Sequence, residues 1–355
     1  MAVLAPTGDF RTSYRADTTI FPTLGSRAAL WAGLAVLCFA PLVLDRYFLG
    51  LLINVGTLSI AALGLNILVG FSGQISIGHA AFFGLGAFAS AWLHERFGIP
   101  VLLCIPIAGV MTAVVGLVFG APAARLKGLY LAIATLAAQF ILEDFFARAQ
   151  WFTGGVSGRI TESPVIGGFA FDREESYFYL VLAFVVVMFV AAANLMRTRD
   201  GRALVAVRDH YLSAEIMGIN LAYYRTLSFG IASFYAGIGG ALYAHHLLFV
   251  SVEAFNILFS IQFLGMVIIG GLGSIMGSLM GAAFMVALPE VVQSGADAIA
   301  GGALDRMLKI GGNISFLREM AIGAAIILFL IFEPDGLARR WKLIKAYWKL
   351  YPYSH

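Results

Sequence analysis

Residues 48–70 read FLGLLINVGTLSIAALGLNILVG, a run without a single charged side chain. A helix needs about 20 apolar residues to cross a hydrocarbon layer about 30 Å thick, so this run is long enough to span a membrane. Ten runs with few or no charges occur along the chain. They occupy residues 28–44, 48–70, 77–93, 99–120, 128–147, 177–196, 226–248, 255–272, 274–292 and 315–332. We predict an all-α integral membrane protein with about ten transmembrane helices.

The composition supports the same class of protein. Hydrophobic residues make up 60% of the chain, charged residues only 12%, and the mean hydropathy is +0.88. A soluble domain of this length would need more polar surface to cover its core. The 40 glycines fit this class, since small residues let membrane helices approach closely.

The distribution of basic residues predicts the orientation. With a cytoplasmic N-terminus, ten spans place 15 of the 23 lysines and arginines on the inner side of the membrane. Basic residues favour cytoplasmic segments, so we expect both termini to be cytoplasmic. The predicted divisions are a cytoplasmic tail over 1–27, a transmembrane domain over 28–333 with a cytoplasmic loop over 197–225, and a basic cytoplasmic tail over 334–355. Ten spans also divide into two halves of five. Because five is odd, the second half begins on the opposite side of the membrane, as in two inverted five-helix repeats.

The sequence carries none of the common catalytic or metal-binding patterns. It has no P-loop, no HExxH, no GxSxG and no Cys/His cluster with metal-ligand spacing. The predicted spans also lack the paired ionisable residues of an ion-coupled carrier. We therefore expect no catalytic residue, no metal and no cofactor. A transporter of this kind takes its energy from a partner or works downhill.

A polar stretch interrupts the apolar pattern at residues 70–79, GFSGQISIGH. Glycines and hydroxyls at membrane depth break a helix, and irregular backbone is tolerated there only against protein or a water-filled cavity. One interpretation is a broken helix that lines a solute path. The candidate path residues are Ser72, Gly73, Gln74, Ser76, Gly78 and His79. The alternative is a short cytoplasmic loop followed by a packed, neutral histidine.

A second glycine-rich stretch lies between the eighth and ninth runs. Gly273, Gly277 and Gly281 recur every four residues, which would stack them on one helix face and permit close packing. A tight turn between the two spans fits the same residues.

The predicted loop 197–225 contains an amphipathic stretch. Ala203, Ala206 and Val207 place an apolar stripe on one side of a short helix. Such a helix could lie on the membrane surface or dock into a groove on a soluble partner. For the second case we expect Arg208 and Glu215 to face the partner. The candidate coupling residues are Arg202, Ala206, Arg208, Asp209, Ala214, Glu215 and Gly218.

Two of these coupling candidates follow from size and backbone conformation. Ala206 and Ala214 are small enough to let the helix seat in a groove. Gly218 follows the stretch, where a helix C-terminus calls for a left-handed residue.

Several stretches resemble the LivM-type permeases of branched-chain amino acid ABC importers. They are residues 70–84, 152–158, 201–219 and 270–274, together with the ending FEPDGL at 332–337. The resemblance implies a multi-pass protein of the bacterial inner membrane that forms half of a translocation path for branched-chain or related amino-acid-like solutes. It places the coupling helix around Arg202–Gly218.

The same resemblance implies the partners. They are a second homologous permease subunit, two cytoplasmic ATPase subunits that bind the ATP, a periplasmic solute-binding protein and membrane lipid, with no nucleic acid. The alternative function is a self-sufficient secondary transporter or channel for small solutes. A membrane scaffold or an integral enzyme is a weaker alternative, since the sequence lacks a catalytic set.

Overall fold

The structure is a computed structural model that describes residues 24–126, 128–166, 168–299 and 314–350. Its helices are α1 (Leu24–Val43), α2 (Arg46–Asn66), α3 (His79–Phe97), α4 (Val101–Ala123), α5 (Leu129–Arg148), α6 (Gln150–Thr153), α7 (Glu174–Arg197), α8 (Arg199–Asp209), α9 (Tyr211–Ile216), α10 (Leu221–Leu247), α11 (Ile257–Gly270), α12 (Ile275–Ile299), α13 (Ile314–Phe332) and α14 (Gly336–Leu350). A π-helical turn, Ile67–Phe71, extends α2, and short 3₁₀ turns cover Gly155–Ser157 and Val252–Phe255. The strands are β1 (Arg159–Ile160), β2 (Val165–Ile166), β3 (Phe169–Ala170) and β4 (Phe249–Val250).

Each of the ten predicted runs coincides with a helix, which confirms the all-α class. By length and composition, seven described helices can cross a membrane: α2 with its π-helical turn, α4, α5, α7, α10, α12 and α13. Apolar parts of α1 and α11 are shorter. The count of ten spans and the inverted repeat therefore remain predictions.

The helices alternate in direction between two ends of the bundle. We call the end that holds residues 197–225 the loop end and the other the hairpin end. At the hairpin end, β1 pairs antiparallel with β4 and β2 pairs with β3. The β1–β4 pair ties the chain after α6 to the chain after α10, which joins the two halves of the sequence at this end.

Helix α10 lies at the centre of the bundle and packs on α2, α3 and α4. Small residues allow these contacts. A Cβ added to Gly239 would lie 2.8 Å from the Thr57 carbonyl, and one added to Gly86 would collide with the backbone of Gly237. Because lipid gives no hydrophobic drive between helices, such close backbone packing is a main source of their association.

The two predicted tails differ in what the structure describes. Residues 1–23 of the predicted N-terminal tail lie outside the described residues, and α1 begins at Leu24. Most of the predicted C-terminal tail forms helix α14. The basic end of the chain is therefore an ordered element rather than a plain tail.

Candidate functional site

The chain leaves helical geometry between α2 and α3, as the polar stretch predicts. The Ser72 amide donates to the Ile67 carbonyl at 3.1 Å, the wider spacing of a π-helical turn, and Gly73 then takes a φ of +73°. Helical geometry resumes only at His79. The break predicted at 70–79 is confirmed, while its role in a solute path remains a prediction.

Helix α3 begins inside the bundle, where its first amides have no helical partners. Side chains from neighbouring helices accept the protons of these amides and of the Ile77 amide, which lies just before the helix. The Ile77 amide donates to Thr135 Oγ1 at 3.0 Å, and the Ala81 amide donates to Gln139 Oε1 at 2.9 Å. The Ala80 amide donates to Ser260 Oγ at 2.9 Å. These acceptors on α5 and α11 satisfy the amides at the start of α3, where no water is available to do so.

The six candidate path residues fall into two groups. Ser72, Gln74, Ser76, Gly78 and His79 are buried, whereas Gly73 is exposed. The buried side chains contact this subunit: the Gln74 amide donates to Ser228 Oγ at 2.5 Å, and His79 Nε2 lies 2.9 Å from the Ala61 carbonyl. In this conformation these groups hold helices together, and the surface of the break consists of Gly73 and Ile75.

A second interruption lies between α11 and α12, where Gly271 and Gly273 take φ values of +113° and +70°. Gly273 therefore lies in a turn, and the expectation that it stacks on a helix face with Gly277 and Gly281 is wrong. Only glycine adopts such backbone angles without steric cost. Gly277 and Gly281 do lie on α12, where an added Cβ would collide with the backbone of α11.

Asn66 joins the two interruptions. Its side chain is fully buried, and its amide nitrogen donates to the Ser274 carbonyl at 2.8 Å and to Ser278 Oγ at 2.9 Å. Its oxygen accepts a bond from the Gly273 amide at 2.8 Å. One side chain at the end of α2 thus satisfies backbone groups that the turn between α11 and α12 leaves open.

Helix α8 lies against this junction. Of the predicted stripe, Ala203 and Val207 are buried against the subunit itself and Ala206 is half-buried. The neighbouring Leu204 is also buried, so this side of α8 packs on the subunit rather than on lipid or a soluble partner. The Arg208 guanidinium donates to the Gly70 carbonyl at 2.6 Å and pairs with Asp209 at 2.8 Å. Arg208 therefore connects α8 to the break after α2, where we had expected it to face a partner.

The remaining coupling candidates lie on α8 and α9. Ala214 is buried within the subunit and Ala206 is half-buried, so neither offers an exposed surface to a partner. Arg202 and Glu215 are exposed. Gly218 has a φ of +87°, which confirms the predicted left-handed end.

The most exposed apolar side chains of this loop are two that the sequence did not single out. Ile216 is 87% exposed and Met217 is 83% exposed.

Sequence reasoning also missed Asn66. The signal was present, because Asn66 is one of only two amide side chains within the apolar run 48–70. A strongly polar side chain at membrane depth is expected to make a hydrogen bond of functional or structural importance. The sequence could not identify the partner, because Ser274 is more than 200 residues away along the chain.

The opposite end of the bundle carries a separate cavity of about 750 Å³. Polar side chains meet across it: Arg159 lies 3.0 Å from Glu95, and His94 lies 3.3 Å from Glu162. The pairs fasten the β1 segment to α3. Within the described residues, no group of three or more His, Cys, Asp or Glu side chains is placed to hold a metal.

Substitution of Gly70 tests whether the junction is close-packed. A Cβ at this position would lie 3.0 Å from the Gly273 Cα and closer still to Asn66 Oδ1. We expect Gly70→Ala to destabilise the subunit by about 1–3 kcal/mol, the usual effect of overpacking. Thermal unfolding in detergent measures it. Gly323→Ala on α13, where an added Cβ meets nothing within 4 Å, is the matched control. Equal melting temperatures for both variants would contradict the close contact.

Comparison with known proteins adds to this geometry. A family model described as "Branched-chain amino acid transport system / permease component" matches residues 47–330. The high-affinity branched-chain amino acid transport system permease protein LivM of Escherichia coli K12 is 29% identical over 303 residues, covering 78% of this chain and 67% of LivM. The LivM of Salmonella typhimurium is 28% identical with the same coverage.

A relative named for a different substrate also matches. The guanosine ABC transporter permease protein NupQ of Bacillus subtilis is 25% identical over 192 residues, covering 49% of this chain and 59% of NupQ. No solved structure matches the chain.

Proposed function

The chain belongs to the family of permease components of branched-chain amino acid transport systems, and from that premise we propose that it forms half of a translocation path driven by partner ATPases. It is an ABC transporter permease subunit for amino-acid-like solutes. The junction of α2, α11 and α8 at the loop end is the observation that supports the mechanism. A path formed between two subunits opens when broken helices shift relative to one another.

We propose that α8 and α9 transmit motion from an ATPase subunit to the path. Arg208 holds the break after α2, and Asn66 holds that break to the turn before α12. A displacement of α8 would therefore move both interruptions together. The surface that receives the ATPase would be the exposed apolar tip of the loop, Ile216 and Met217, because such side chains at a polar loop are stabilised when a partner covers them.

The proposed partners are those of the family plan. They comprise a second homologous permease subunit, two cytoplasmic ATPase subunits and a periplasmic binding protein that delivers the solute. The solute is proposed to be a branched-chain or related amino acid, as for LivM. NupQ is named for guanosine, so relatives in this similarity range differ in solute. The proposed location is the bacterial inner membrane.

The proposed docking role of the loop tip predicts a specific loss of ATPase binding. We expect Ile216→Glu to weaken association with the ATPase subunits by about fivefold, since removing an apolar contact of this size costs about 1 kcal/mol. Copurification of the ATPases in mild detergent measures it. Leu126→Glu, an exposed apolar residue at the same end in the turn after α4, is the matched control and should retain the ATPases. Full retention by Ile216→Glu would place the docking surface elsewhere, and a chain that copurifies with no ATPase would overturn the proposed function.

The predicted orientation is tested with reporter fusions. Because basic residues concentrate in segments at the loop end, fusions within 200–220 and after Trp341 are expected to report the cytoplasm. Fusions within 148–175 and near Glu253 are expected to report the periplasm. A periplasmic signal from 200–220 would contradict both the orientation and the contact with cytoplasmic ATPases.

A further inference from the structure

Helix α14, with the sequence GLARRWKLIKAYWKL, is unlike any other part of the loop end. It carries five lysines and arginines and no acidic residue. Successive residues of a helix are about 100° apart, which places Leu343, Ile344 and Tyr347 on one face, with Trp341 at its edge. Lys342 and Lys345 lie on the opposite face. The pattern is that of a basic amphipathic helix.

The position of α14 places it at the membrane boundary. The preceding helix α13 can span the membrane and ends at Phe332, four residues before α14 begins at Gly336. Gly336 has a φ of +72°, so the chain turns there, and a Cβ added to Gly336 would lie 2.6 Å from the Gly271 Cα. Ala338 is also buried. The first turn of α14 is thereby fixed to the bundle at the level where the spans end.

Beyond this first turn, the apolar face has no cover from the described part of the chain. Trp341 is 57% exposed and Ile344 is 51% exposed, and Leu343 and Tyr347 are exposed as well. A patch of this kind beside a membrane span is stabilised by insertion into the acyl boundary, where tryptophan is favoured.

The charges of α14 complement an anionic surface. Arg340 donates to Glu333 at 2.6 Å and Arg339 pairs with Asp335, so these two arginines are neutralised at the start of the helix. Lys342 and Lys345 make no ion pair with any residue that the structure describes. Lysines held at the level of the headgroups attract anionic phospholipids.

We propose that α14 lies in the membrane interface, with Leu343, Ile344 and Tyr347 in the acyl boundary. Lys342 and Lys345, on the opposite face, lie against the headgroups of anionic phospholipids. This inference goes beyond the proposed transport function, because it requires only that α13 spans the membrane. Since Gly336 packs on Gly271, the same contact ties the interfacial helix to the turn between α11 and α12.

The test uses the full-length chain with a spin label at Ile344→Cys in a Cys38→Ser background. The remaining cysteine, Cys104, is buried. The chain is reconstituted in vesicles of phosphatidylcholine alone or of phosphatidylcholine with phosphatidylglycerol. Collisions with oxygen report lipid, and collisions with a water-soluble nickel chelate report solvent. A label at Ser213→Cys, on the exposed side of α9, gives the reference for a water-facing position.

We expect the oxygen-to-nickel collision ratio at Ile344→Cys to rise several-fold when phosphatidylglycerol is present, with no change at Ser213→Cys. Adding Lys342→Glu and Lys345→Glu should abolish the rise, whereas Lys342→Arg and Lys345→Arg should preserve it. A water-facing label in both kinds of vesicle would overturn the proposal. A label that becomes shielded from both reagents only when ATPase subunits are added would also overturn it, because the face would then belong to a protein partner.

Discussion

Asn66→Leu is expected to abolish solute transport while leaving the helices inserted. Leucine has the same branching and the same number of side-chain heavy atoms as asparagine. It supports none of the three bonds that Asn66 makes at 2.8–2.9 Å to the turn before α12 and to the first residues of α12. Hydrogen bonds between membrane helices contribute about 0.6 kcal/mol each on average and up to about 1.7 kcal/mol. A combined loss of about 2–4 kcal/mol is therefore expected, enough to separate the two interruptions for much of the time.

The measurements separate this effect from misfolding. Membrane abundance and a single symmetric peak in size-exclusion chromatography establish that the variant folds. Reconstituted transport and solute-stimulated ATP hydrolysis then measure the effect of the weakened junction on coupling. Asn66→Asp is the informative companion, because its carboxylate still accepts the bond from the Gly273 amide but donates nothing to Ser274 or Ser278. Transport near the level of the unchanged protein in Asn66→Leu would show that the junction has no part in the mechanism.

Arg208→Met is expected to uncouple ATP hydrolysis from transport without releasing the ATPases. Methionine preserves much of the aliphatic stem, which lies close to Gly73, but removes the bond to the Gly70 carbonyl. A hydrogen bond from a charged donor contributes about 1.5–3 kcal/mol when buried. Arg208 is partly exposed, so about 1–2 kcal/mol is the better estimate, which corresponds to a change of about 5–30-fold in coupling.

The control for Arg208 lies on the same helix. Arg199→Met removes an equal charge from an exposed position at the start of α8 and is expected to couple normally. Both variants should copurify with the ATPases, since the proposed docking surface is the tip formed by Ile216 and Met217. If Arg199→Met and Arg208→Met lose transport equally, the general positive charge of the loop is responsible and the specific contact to Gly70 is not.

The apolar runs made the helices predictable. A backbone amide in lipid has no water to bond, so an uninterrupted run of about 20 apolar residues must satisfy its own hydrogen bonds as a helix. Each predicted run accordingly coincides with a helix, and the glycines and hydroxyls of 70–79 mark a true interruption. Gly218 was predictable for a related local reason, since its left-handed backbone depends on the end of α9 alone.

Only the tertiary structure decided which polar groups contact one another. Arg208 points inward to Gly70, Ala214 is buried, and Gly273 lies in a turn, all against expectation. Periodicity describes the faces of one helix, but the partner of a face is set by helices far away in sequence. Asn66 and Ser274 are separated by 208 residues along the chain, and only close packing of α2, α11 and α12 brings them within 2.8 Å. The sequence by itself determined where the helices form, because that depends on local exclusion of water, whereas the junction depends on packing between distant segments.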